Sequence, residues 1–193
     1  MTLNDLRPEL YAAYDQAAAV ISAVSQEQLH RPTPCTKMDV SELVDHIVLA
    51  ARRAAKLGRG ETLAGESEAP HVDLREAPGV LRAAGAEAQA AWSDDASLGR
   101  VVTMPWGEEY PGRALVGIYL VELATHAWDL ARATDNQQLL HDGLGEAALA
   151  CARATIREDY RTEAGEPFGP EVPAPDDATV WERLGAFMGR DPR

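Results

Sequence analysis

One stretch of the chain constrains everything around it. From position 115, LVGIYLVELATHAWDLA is apolar nearly all the way round a helix. Such a helix has no solvated face, so other elements must enclose it on most sides. A chain of 193 residues can supply them within one core and is too short for two comfortable domains.

The remaining segments read as its partners. Residues 3–29 carry Leu10, Tyr14, Ala17, Ala18, Ile21 and Val24 at helical spacing, with one buried stripe. Pro32 and Pro34 then impose an extended stretch. Asp39 or Ser41 can cap a second helix to about Leu57, its inner face formed by Val40, Leu43, Val44, Ile47, Ala51 and Ala54. A third helix is expected over 74–92, bent at its start by Pro78 and Gly79, and the apolar fourth over 113–133. Before the fourth, Val101, Val102 and Thr103 followed by Pro105-Trp106-Gly107 suggest a short strand and turn. A fifth helix is expected over 144–163 and a short one over 180–188. The expected fold is an all-α four-helix bundle with extra short helices and a short β-like hairpin before the fourth helix. All of 1–193 forms one domain in this reading, its proline-rich tail from about 165 folding onto the bundle.

Polar residues inside the apolar fourth helix carry the chemistry. Glu122, His126 and Asp129 fall at i, i+4 and i+7, on one stripe. A carboxylate there is costly unless it is paired, protonated or bound to a metal. A Glu and a His one turn apart can reach one cation, and a catalytic zinc site takes three protein groups. Of the four other histidines, His46 alone lies inside a strongly periodic helix. The candidate ligand set is therefore His46, Glu122 and His126, with Asp129 placed to hold a histidine N–H. Arg113 and Arg132 are the alternative partners of Asp129. The rival pair Glu42 and His46 has the same spacing, but Glu42 suits the solvated, positive start of its helix.

Other groups read as inert. Cys35 and Cys151 are too few for a disulfide framework and read as reduced thiols of a cytoplasmic protein. Cys35 has Lys37 as its one basic neighbour in sequence. Trp106 and Trp128 read as packing residues. No apolar run approaches the ~18–20 residues of a membrane span. The N-terminus lacks a basic start and apolar stretch. With 18 Lys+Arg against 31 Asp+Glu, the net charge of −13 argues against nucleic acid and anionic membranes as partners. It leaves room for a small cationic pocket inside an acidic shell.

PTPCTKMDVSELVDHIV, MPWGEEYPGRALVGIYLVELATHAWDLARAT and DDATVWERLGAFMGRDP together resemble the DinB-like metal-binding proteins. The nearer branch is related to the N-terminal domain of mycothiol-dependent maleylpyruvate isomerase. The resemblance covers nearly the whole chain, and its most specific part is the helix-two His followed by Glu-x-x-x-His-x-x-Asp. It implies a four-helix bundle with a divalent metal, usually zinc, on His46, Glu122 and His126; nickel or another divalent ion would suit the same donors. It also implies mycothiol or a similar small thiol as cosubstrate, in a metal-dependent S-transferase or isomerase acting on a small electrophile. Relatives often carry Trp where this chain has Met38. A non-catalytic metal- or ligand-binding accessory protein is the alternative. The oligomeric expectation is a monomer or homodimer.

Overall fold

The computed structural model describes residues 5–64, 71–161 and 168–193. Within them the chain is all-α, with seven helices and one two-stranded hairpin. Helices α1 (Arg7–Ser22), α2 (Val40–Gly58), α3 (Ala77–Trp92) and α5 (Gly112–Ala133) form the bundle; α4 (Asp95–Gly99) is a single short turn. Helix α3 packs against α1 and α2, and so does α5, which puts α3 and α5 at opposite corners. Helix α6 (Asp142–Thr155) lies on α5, and α7 (Val180–Phe187) packs on both.

Each boundary has a local cause. Asp39 caps α2: its Oδ1 accepts from the Glu42 backbone N–H at 2.9 Å, and Glu42 Oε2 accepts from Asp39 N–H at 3.0 Å. Glu42 is thereby committed to the helix start and exposed, outside the site. Helix α1 ends at Ser22, short of the expected 29, because Ser25 and Gln28 cap a separate 3-10 turn over Gln26–Gln28; positions 3 and 4 of that expected helix lie outside the described residues. Pro78 sits in the first turn of α3, where a missing donor costs nothing, so it starts the helix rather than bending it.

Helix α6 ends at Thr155, eight residues before the expected limit. Ile156 turns extended, and a 3-10 turn follows over Glu158–Tyr160, in which the Arg157 guanidinium lies over the Tyr160 ring. Residues 162 and 163 of the expected helix lie outside the described residues.

The expected hairpin forms just before α5. β1 (Val101–Thr103) pairs antiparallel with β2 (Glu109–Pro111), with Val102 opposite Tyr110. Its turn requires Gly107, which adopts φ 92°.

The core is built from Leu10, Tyr14, Ile47, Leu81, Leu120 and their neighbours, all fully buried. Its two large polar tips find acceptors across the bundle. Tyr14 Oη donates to the Ala51 carbonyl at 2.8 Å, and Trp92 Nε1 to the Ala54 carbonyl at 3.0 Å. Trp128 is buried against Gly185 of α7, where a Cβ would stand 2.4 Å from the indole.

Helix α5 corrects one expectation. By length and composition it is apolar enough to cross a membrane, although Glu122, Asp129 and two arginines interrupt its sequence. In the fold, 83% of its most apolar 18-residue stretch is buried inside the bundle. Its apolar girth is explained by α1, α2, α6 and α7 packing around it.

Candidate metal centre

Helices α2 and α5 lie side by side and bring His46 against Glu122 and His126. The donor atoms of these three side chains all fall within 4.8 Å of one another. His46 Nε2 is 2.8 Å from Glu122 Oε1, and His126 Nε2 is 3.6 Å from the same oxygen. The two imidazole rings meet edge to face, 4.8 Å between centroids.

Asp129 completes the arrangement from one turn further along α5. Its Oδ2 lies 2.9 Å from His126 Nδ1. That contact holds a proton on Nδ1 and turns Nε2 toward Glu122 and His46. Neither Arg113 nor Arg132 is the cation on Asp129. Arg190, beyond α7, takes that position: its Nη2 donates to Oδ2 at 3.1 Å and its Nε to Oδ1 at 3.3 Å.

Electrostatics fix the charge states. Burial pushes the Glu122 carboxyl up, but charge and hydrogen bonding from His126 and His46 outweigh it and hold Glu122 well below the ordinary carboxylate range. Burial likewise disfavours the His126 cation, yet Glu122 and Asp129 push its imidazole up to about 9. Asp129, fully buried, would be raised by burial and is instead lowered by Arg190 and His126.

The cluster forms the foot of a cavity of about 590 Å³. Its wall carries Cys35, Lys37, Arg132, Arg190 and Arg193, a cation-rich lining in a chain of net charge −13. Thr125 also lines it, and its buried hydroxyl has no hydrogen-bond partner. Cys35 approaches from the loop before α2, its sulfur within 4.8 Å of donor atoms on His126 and Asp129. Burial, with the Asp129 charge beside it, pushes the Cys35 thiol up despite Arg190, so it is held protonated. Cys151 is buried, and both cysteines are free.

Three histidines stand apart from the cluster. His30 contacts Asp39 at 3.2 Å, His71 contacts Asp45 at 3.1 Å, and His141 begins α6. Trp128 packs in the core, whereas Trp106 does not: it is 64% exposed at the hairpin tip.

Sequence reasoning missed Arg190, Thr125 and the site position of Cys35. Only Thr125 carried a local mark, as a hydroxyl beside His126 in an apolar helix. Arg190 lies 61 residues from Asp129, beyond any helical spacing.

The donor set fits a divalent ion. Two groups bonded to zinc at about 2.0–2.1 Å in a tetrahedron stand roughly 3.4 Å apart, a separation the three donors reach with small side-chain adjustments. Two imidazoles and a carboxylate suit a borderline cation. All three side chains line the cavity.

Fold and cluster define a class: helical-bundle proteins with two histidines and a glutamate gathered between two helices. The chain belongs to the mycothiol maleylpyruvate isomerase N-terminal domain family, matched over residues 10–131. Two similar proteins, both called uncharacterized, come from two strains of Mycobacterium tuberculosis. Each is 31% identical over 184 residues, which cover 94% of this chain and 95% of the relative. No solved structure matches the chain.

Proposed function

We propose that His46, Glu122 and His126 hold a divalent metal ion, zinc by preference, and that the protein is a thiol S-transferase or isomerase. Its cosubstrate is a small thiol of the mycothiol type, its second substrate a small electrophile. The observation that carries this reading is the convergence of three metal-type donors at the foot of an open cavity. A purely structural zinc site is ordinarily closed by four protein ligands. The family match supports the choice of thiol.

A bound zinc ion would lower the pKa of a thiol and favour thiolate at neutral pH. The protein's own groups do the rest. Glu122 stays ionised and accepts no proton near neutrality. Asp129 holds His126 in one tautomer, with Nε2 toward the site. Arg132 and Arg190 place positive charge on the cavity wall, where a thiolate of the cosubstrate would lie. The Thr125 hydroxyl offers a hydrogen bond to whatever polar atom sits beside His126.

Metal analysis of protein prepared without chelators tests the site, alongside a conjugation assay with mycothiol and a generic electrophile. One equivalent of divalent metal, lost in His126→Ala together with turnover, is the expected result. A fully metallated and active His126→Ala protein overturns the assignment.

A further inference from the structure

His46 and Glu122 each line two cavities. On one side is the cation-rich cavity already described. On the other, a second cavity of about 410 Å³ opens between α2, α5 and the β1–β2 hairpin. Its wall is chemically opposite: Leu63, Met104, Pro105, Trp106, Ile118 and Tyr119. Beyond His46 and Glu122, Arg53 is its one charged lining residue.

The hairpin cavity coincides with the most apolar exposed surface. Among the described residues the large hydrophobics that are exposed are Val101, Trp106 and Ile118, and two of these three line it. Exposed apolar side chains gathered at one concavity mark a binding surface more often than chance placement. Trp106 is also held rather than dangling. Its Nε1 donates to Glu108 Oε2 at 3.2 Å, and Tyr110 Oη donates to the same oxygen. The polar edge of the indole is thereby satisfied by its own hairpin, and its faces remain free for apolar contact. On α5, Ile118 stands one turn before Glu122, so a molecule resting on Ile118 is carried directly to the cluster.

We propose that the hairpin cavity is the subsite for the electrophile, and that it selects neutral, apolar molecules of aromatic size. The thiol occupies the cation-rich cavity, so the two reactants meet across His46 and Glu122 from opposite sides. This assignment rests on the proposed transferase reading, but the cavity can be probed without turnover.

The first test uses full-length protein, with and without zinc, and the neutral fluorophore N-phenyl-1-naphthylamine. Saturable fluorescence enhancement is expected, weakened at least fivefold in Trp106→Ala and in Ile118→Asn. Arg132→Ala, in the opposite cavity, should leave the affinity unchanged. Trp106 is exposed, so its replacement spares the core; circular dichroism checks that the fold is retained.

The second test measures conjugation of mycothiol to 1-chloro-2,4-dinitrobenzene and to iodoacetamide. The thiol sulfur forms an S–C bond as C–Cl or C–I breaks; halide leaves with the bonding pair and the thiol proton passes to buffer. Trp106→Ala should raise KM at least fivefold for the aromatic substrate alone, with KM for mycothiol unchanged.

Probe affinity that ignores both Trp106→Ala and Ile118→Asn, or that falls equally in Arg132→Ala, overturns the subsite. Trp106-dependent probe binding supports it even where metal and turnover are absent, an outcome that would overturn the transferase reading alone.

Discussion

Arg190 reaches back across the bundle to Asp129 and grips both oxygens of a carboxylate that has no solvent exposure. The same carboxylate holds His126. The segment after α7 is thus tied electrostatically to the candidate metal centre. Removing one partner of a buried pair leaves the other charge uncompensated. Arg190→Ala is expected to lower stability by about 3 kcal/mol, read from urea unfolding of metal-free protein. A change below ~0.5 kcal/mol, the scale of an ordinary surface substitution, would show that the pair contributes little.

Asp129→Asn removes the orienting charge on His126 and, with it, the Arg190 ion pair. The amide keeps the shape but loses the charge that fixes His126. Zinc affinity should fall roughly 10–100-fold, measured by competition with a chromophoric chelator, while helix content stays constant. Unaltered affinity would separate Asp129 from metal binding.

The pH dependence of the metal-free protein follows from His126. Its folded-state pKa of about 9 exceeds the ordinary value of 6.5. A raised histidine pKa contributes stability that is fully present below about pH 6.5 and is lost as pH rises through about 9. Unfolding free energy should therefore decline over that window by an amount on the order of 3 kcal/mol. Saturating zinc requires unprotonated His126, so the decline should disappear in the metal-loaded protein. A flat profile without metal would contradict the charge state assigned to His126.

Gly185 is where α7 touches the indole of Trp128, and a Cβ there would lie 2.4 Å from the ring. Gly185→Ala should destabilise by about 1–3 kcal/mol through overpacking, visible as a lower thermal midpoint. An unchanged midpoint would mean that α7 can shift away without loss.

The helices and the three proposed ligands were legible because both depend on local spacing. Glu122 and His126 share a turn of α5, and His46 stands at the edge of the α2 stripe. The Arg190 contact was not, since helical periodicity offers Asp129 only neighbours such as Arg132 and says nothing of a segment 61 residues away. The early end of α6 escaped for a related reason. Nothing in the 3.6-residue repeat marks Ile156 turning extended ahead of the 3-10 turn. Trp106 was misplaced because aromatic residues are usually interior, whereas a hairpin tip holds this one outside.

Helix α5 has one more consequence. It carries two proposed ligands on a segment whose apolar girth is hidden only while its neighbours stay in place. Partial opening of the bundle would uncover a long sticky surface before the chain had fully unravelled. Such species aggregate faster than they refold. Heat inactivation should accordingly be irreversible and dependent on protein concentration and scan rate, with endurance set by the rate at which the bundle opens. Substitutions that slow that opening, at contacts of α6 and α7 with α5, are the ones that would prolong the working life of the protein.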